Sequence, residues 1–152
     1  AIPFIFGGAA AIQTNTLTLK IGQATYIIAL IAFLAGSGRE IMKDVQDFEG
    51  DKEKGVRSFP KYIGKRKSNV IAGLFFSVAV LLSFVPFFFE RYLIYYQNYY
   101  YLSIVLVTDV IFTYIASQLI FNSEPNLKLF RKATLVAIFI GLIAFLIATF
   151  IN

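Results

Sequence analysis

The residues best suited to chemistry lie in Arg39-Glu40-Ile41-Met42-Lys43-Asp44-Val45-Gln46-Asp47-Phe48-Glu49-Gly50-Asp51. Glu40, Asp44, Asp47 and Asp51 are spaced four, three and four residues apart, so on a helix they share one face. Arg39, Lys43 and Gln46 form the adjacent stripe, while Ile41, Val45 and Phe48 point toward other helices or lipid. A solvated helix end laced with ion pairs is the plain alternative, but the signs oppose it. Like charges three or four apart each destabilise a helix by ~0.2–0.5 kcal/mol, and acids near a C-terminus face the negative end of the helix dipole. A divalent cation reverses that balance. The chain has no His and no Cys, which removes imidazole bases, thiolate ligands, disulfides and cysteine nucleophiles. The hard oxygen donors that remain suit magnesium, which takes one or two carboxylates and fills its shell with water and phosphate oxygens.

Downstream runs a cation-rich stretch, residues 52–67. Gly55 and Pro60 break helix there, so a loop with at most a short helical turn is expected. Its cations suit phosphate oxygens, with Arg57 able to bind them bidentately. They suit anionic headgroups equally well. Lys65, Arg66 and Lys67 are expected to anchor on the membrane, and Arg57, nearer the acids, to act on phosphate. Asp109 sits inside an apolar run, where an ionisable group costs a few kcal/mol and points to function. It either lines the cavity of the acidic stripe or pairs with a polar group on a neighbour, for instance Gln118 or a Thr.

The elements that must carry these residues are membrane helices. Of the 152 residues, 58% are hydrophobic and 15% charged, against ~25% charged in soluble domains. Nine of the fourteen Lys and Arg, and six of the nine Asp and Glu, fall between Arg39 and Lys67. The +5 net charge therefore describes loops and is not a nucleic-acid footprint. About 20 apolar residues cross the ~30 Å hydrocarbon core. Residues 21–38 (continuing as helix to about 48), 68–89, 102–121 and 133–152 meet that length, and 1–12 reads as a further, shorter helix. Soluble helices carry a polar face and these have almost none. The expected fold is all-α: a single polytopic transmembrane bundle of about five helices over 1–152, with a charged segment at 39–67. Six tyrosines between Glu90 and Tyr101 read as an interfacial aromatic belt. Ala1 opens directly into an apolar run with no basic n-region, so a signal peptide does not fit and the numbering is expected to begin inside a longer chain.

The run from Arg39 to Pro60, R-E-I-x-K-D-x-x-D-x-E-G-D followed by G-x-R-S-x-P, resembles the second aspartate-rich motif of the UbiA-type intramembrane prenyltransferases. It is especially similar to their archaeal branch, which makes digeranylgeranylglyceryl phosphate, an ether-lipid precursor. The opening Pro3-Phe4-Ile5-Phe6-Gly7-Gly8-Ala9 is similar to the start of a mid-family helix. The resemblance implies nine helices around a central cavity, of which this chain supplies the C-terminal part. It implies Asp47 and Asp51 as the D-x-x-x-D pair, flanked by Asp44 and Lys43. Magnesium would be held by Asp47, Asp51 and Asp44, and Lys43 would join the two motif aspartates in catalysis. Arg57, Arg39 and Lys61 would bind the substrate diphosphate. The reaction implied is transfer of a prenyl group, geranylgeranyl by the archaeal likeness, from prenyl diphosphate to a hydroxyl of a lipid acceptor, geranylgeranylglyceryl phosphate. The family's first motif, N-D-x-x-D or similar, does not occur among the aspartates Asp44, Asp47, Asp51 and Asp109. The N-terminal half of the same enzyme is therefore an expected partner, and this chain alone is expected to be inactive. Two other readings remain: an aromatic acceptor within the same family, or a cation channel or transporter with Asp109 along its path.

Lys and Arg bias sets orientation in a membrane. Segments 39–67 and 122–132 carry nine and three such residues, whereas 13–20 and 90–101 carry only Lys20 and Arg91. The rich segments should face the cytoplasm of a cell-membrane protein. Cysteines placed at Lys54 and Lys128 should react with an impermeant reagent only from the cytoplasmic side; labelling of either from outside overturns this topology.

Overall fold

In lipid every backbone N–H and C=O must find its partner within the protein. The computed structural model of the chain does this with helices alone among the described residues. It describes residues 16–53, 58–92 and 94–150, and side chains within 24–48, 58–92 and 94–148; the expected helix 1–12 lies outside them. The elements are α1 (Thr16–Glu53), α2 (Phe59–Ile63), α3 (Lys65–Ser83), α4 (Val85–Phe88), a 3-10 turn (Glu90–Tyr92), α5 (Tyr99–Phe121) and α6 (Leu127–Phe150). Among the described residues four spans are long and apolar enough to cross a membrane: Ala24–Phe48, Lys65–Phe88, Tyr99–Phe121 and Leu127–Ala148. α1 packs on α3, α3 on α5, α5 on α6, and α6 returns to α1.

Unlike a water-soluble bundle, the structure buries many small residues and leaves many large apolar ones exposed. Ala24, Ala35, Ala72, Ala116, Ala137 and Ala144 are buried, whereas Leu81, Val110, Phe121, Phe139 and Leu146 are exposed. Lipid tails are as apolar as any core, so close backbone approach decides which face turns inward. Two apolar clusters result. One joins Met42 of α1 to Phe76, Phe112, Leu119 and Phe130, with Phe76 and Phe112 stacked at 5.1 Å. The other joins Ala24 to Tyr95, Tyr101, Val105 and Phe145.

The apolar run 68–89, expected as one helix, breaks at Phe84. Pro86 has no N–H to return to the carbonyl of Leu82, and the N–H of Phe87 turns to the carbonyl of Phe84. The carbonyl of Ser83 accepts instead from Tyr101 Oη at 2.6 Å. This corrects the picture of a uniform tyrosine belt: Tyr95 and Tyr101 are core residues, and Tyr99 and Tyr100 stay exposed. A buried tyrosine needs a partner for its hydroxyl, and the helix break creates one.

The charged segment is mostly helical too. α1 runs through Gly50 to Glu53, and Pro60 sits in the first turn of α2, where its missing N–H costs nothing. Gly64 joins α2 to α3 at φ +86° and ψ 153°, a region that side chains other than glycine's rarely enter. α6 begins at Leu127 rather than near 133, with Asn126 Oδ1 accepting from the N–H of Leu129 at 3.1 Å as an N-cap.

Arg66 does not anchor on the membrane. Its guanidinium donates to the carbonyls of Leu119, Ile120 and Asn122 at the end of α5, which lack helical donors of their own. Lys65 lies over the ring of Phe48 at 5.3 Å. Together with Gln46 accepting from Arg131 Nη1 at 2.9 Å, these contacts place the two cation-rich segments at the same end of the bundle.

Replacing Arg66 by Met keeps the apolar stem and removes the fork. It should lower stability in detergent by roughly 1–3 kcal/mol, with Lys67→Met close to neutral; equal melting temperatures for the two variants would contradict the capping role. A Cβ on Gly38 would meet Phe76 Cζ at 3.1 Å and the Ala72 carbonyl at 3.2 Å, whereas one on Gly36 meets nothing within 4 Å. Gly36→Ala should therefore be neutral or stabilising by up to about 1 kcal/mol, and Gly38→Ala should melt below it. The reverse order would show that the α1–α3 seam has slack.

Candidate active site

One face of α1 stays open from Tyr26 to Asp47. Tyr26, Leu30 and Phe33 are exposed on it, and Ser37, Glu40, Asp44 and Asp47 continue the same alternation of four and three. At 1.5 Å per residue, the 38 residues of α1 extend about 57 Å. That is nearly twice the hydrocarbon thickness of ~30 Å, so the helix crosses the membrane and carries its acidic end beyond it. Met42 and Val45, on the other side of the turn, are buried and hold the stripe outward. A cleft of about 440 Å³ follows this face, lined by Phe33, Gly36, Ser37, Glu40, Asp44 and Phe59 among others. It is apolar at one end and acidic at the other.

The structure sets Glu40 and Asp44 on this stripe, with Lys43 reaching over from the adjacent one. Glu40 takes both nearby cations: Arg39 Nη1 at 3.2 Å and Lys43 Nζ at 3.6 Å. Asp44 Oδ2 accepts a long bond, 3.4 Å, from the backbone N–H of Phe59, which ties α2 beside the end of α1. Asp47 is exposed, and the ion pairs on this face among the described residues fall on Glu40. Lys61 is exposed on α2. Asp51 belongs to the helical stretch of α1, but its side chain lies outside the described residues, as does the whole of Arg57. Among the described residues no three acids converge as a metal cluster. The donor chemistry nonetheless fits magnesium. Asp44 and Asp47 offer hard oxygens one turn apart on an open face, neither in an ion pair among the described residues, and one or two carboxylates are what that ion takes from protein.

Arg39 lies at the edge of this site. Besides meeting Glu40, it lines a second groove on the α6 side with Gln46 and Arg131. Only three-dimensional packing brings Arg131 there; 85 residues separate it from Gln46, and no local pattern marks the pair. Asp109 is not part of the acidic cleft. It is buried, 5% exposed, accepts from Ser83 Oγ at 2.7 Å and borders a separate interior cavity of about 40 Å³. Of the two alternatives for it, pairing with a neighbouring helix holds, with Ser83 rather than Gln118 or a Thr as the partner.

Residues 1–136 match the UbiA prenyltransferase family. The digeranylgeranylglyceryl phosphate synthase of Archaeoglobus fulgidus is 39% identical over 151 residues, covering 99% of this chain and 49% of that protein. The synthase of the same name from Thermococcus gammatolerans is 34% identical over 97% of this chain and 53% of its own length. That from Pyrococcus horikoshii is 41% identical over 56% of this chain and 33% of its own. The chain thus spans about half the length of the first two relatives. No solved structure gives a significant match. The four membrane-length helices, the open acidic stripe on α1 and the family match over residues 1–136 lead to one conclusion: this chain is a multi-pass membrane protein belonging to the UbiA prenyltransferase family.

Proposed function

We propose that this chain forms the C-terminal half of a magnesium-dependent prenyltransferase of archaeal ether-lipid synthesis. The enzyme moves a geranylgeranyl group from its diphosphate to the hydroxyl of geranylgeranylglyceryl phosphate. The observation that carries this reading is the continuous open face of α1, apolar from Tyr26 to Phe33 and acidic from Glu40 to Asp47. An allylic diphosphate has the same two-part character. Its tail lies along the apolar stretch, and its head reaches the acids where the helix leaves the membrane. The names of the relatives from Archaeoglobus fulgidus and Thermococcus gammatolerans support the lipid acceptor.

Asp47, Asp51 and Asp44 would hold magnesium, which when bound neutralises charge on the leaving diphosphate. Lys43, Arg57 and Lys61 add cations toward the same oxygens, with Arg39 at the margin. Their charge is worth most where the leaving group develops its own. The bond from the allylic carbon to the diphosphate oxygen breaks with its electron pair on the diphosphate. The acceptor hydroxyl oxygen then bonds to that carbon and releases its proton. Phe33, Leu30 and the lipid around them keep water from the electron-poor carbon. The acidic face is open, and the N-terminal half of the same enzyme completes the site from across the cavity. The segments 39–67 and 122–132 face the cytoplasm in this reading.

Membranes carrying this chain, the N-terminal half, or both should be assayed with radiolabelled geranylgeranyl diphosphate. Transfer is expected only with both halves present and should vanish when magnesium is chelated. Asp47→Ala or Asp51→Ala should reduce it at least about 100-fold at saturating magnesium, without lowering the melting temperature. Arg57→Lys, which loses the planar fork, should cost roughly 10-fold, one charge-assisted hydrogen bond. Robust transfer by this chain alone, or full activity in either aspartate variant, overturns the assignment. Metal flux that needs no diphosphate would point to a cation pathway instead.

A further inference from the structure

A groove of about 270 Å³ opens between α1 and the start of α6, lined by Arg39, Gln46, Lys128, Arg131, Lys132 and Leu135. Two helices thus bring four cations to one place, and among the described residues no carboxylate lines it. Among the described residues the compensation comes from Glu40, which meets Arg39 from the neighbouring stripe at 3.2 Å. Arg131 spends one N–H on Gln46 Oε1 at 2.9 Å. The Nε of Arg39 and the Nε of Arg131 are both buried and have no acceptor among the described residues. Buried donors without acceptors are costly, and four like charges around one groove repel. A ligand that brings several oxygen acceptors and two negative charges answers both problems. Leu135 closes the membrane-ward end of the groove, and Val136 and Phe139 continue exposed along α6, a surface for an acyl or prenyl tail.

We propose that this groove binds the phosphate of a lipid phosphomonoester, at a site separate from the acidic stripe. On α1 the positions of Arg39 and Gln46 stand about 100° around the helix from Glu40 and Asp47, by the 3.6-residue turn. A phosphate held there and a diphosphate held on the stripe occupy adjacent faces of one helix end. Resting on the function proposed above, the acceptor lipid is one source of such a phosphate; monoester headgroups of the bilayer are the other. The shared chemistry is a doubly charged phosphate on an apolar tail.

The test uses the protein carrying this chain in phosphatidylcholine nanodiscs, with fluorescent phosphatidic acid, a monoester, as probe and phosphatidylglycerol, a diester, as its comparison. Phosphatidic acid should bind at least 10-fold more tightly. Arg131→Gln should reduce its affinity about 10-fold, and Lys132→Gln, which disturbs no described hydrogen bond, about 3-fold. Lys67→Gln removes a charge at the same end outside the groove and should leave binding unchanged. Equal binding of the two lipids, or equal loss in Lys67→Gln and Lys132→Gln, overturns the site in favour of a general basic surface. Competition separates the sources. Geranylgeranylglyceryl phosphate displacing the probe better than unlabelled phosphatidic acid assigns the groove to the acceptor, and equal displacement assigns it to bilayer headgroups. Binding needs no turnover, so selective binding without prenyl transfer would keep the groove and reject the proposed reaction, and the converse result would do the opposite.

Discussion

The approach of α1 to α3 at Gly38, within reach of Phe76 and the Ala72 carbonyl, sets the position of everything at the charged end. A bundle in lipid gains little from hiding apolar surface, so it is held by dispersion between closely spaced backbones and by the few polar contacts at its ends. From Gly38 the helix runs on unbroken, and the next turns carry Glu40, Asp44 and Asp47. With Met42 and Val45 buried on one side, the acids can only face outward. The same helix therefore fixes both the direction of the apolar stretch and that of the charged one, with no joint between them.

Polar contacts lock that end. Arg66 ties the start of α3 to the end of α5, Gln46 ties α1 to α6 through Arg131, and Asp44 ties α1 to α2. At the opposite end the break at Pro86 frees the Ser83 carbonyl for Tyr101, while the Ser83 hydroxyl reaches Asp109. These ties join α3 to α5, α1 to α6 and α1 to α2 at the charged end, and α3 to α5 again through Ser83.

The apolar runs and the three-and-four spacing of the acids were legible in the sequence because helix periodicity is local. The acidic stripe emerged on one face of α1 as its spacing required. What escaped depends on partners that no local pattern names. Tyr95 and Tyr101 are indistinguishable in sequence from Tyr99 and Tyr100, and only the carbonyl released by Pro86 selects one of them for burial. Arg66 stands in a basic triplet that resembles a membrane anchor, and its role follows from where α5 happens to end. Lys128, Arg131 and Lys132 read as loop charges in sequence, which puts the expected start of α6 near 133, although they lie on the helix. The resemblance to the family rests on Arg39 to Pro60, and the match over residues 1–136 bears out the family, while Asp51 and Arg57 within that run lie where no side chain is described.

Small residues at the seams and large ones facing lipid change where the molecule tolerates mutation. In a soluble protein, truncating a large buried side chain is the damaging change. Here Leu81, Phe121, Phe139 and Leu146 face outward and meet hydrocarbon whether or not the helices associate, so trimming them removes little that favours assembly. The sensitive positions are the smallest ones, such as Ala72, Ala116 and Gly73, where an added carbon on Gly73 would come within 2.8 Å of Ile120 Cγ1. Alanine scanning is silent at Ala72 and Ala116; enlarging substitutions would find them. Sequence drift in such a chain is thus freest among its lipid-facing bulky residues and most confined at the small residues of its seams.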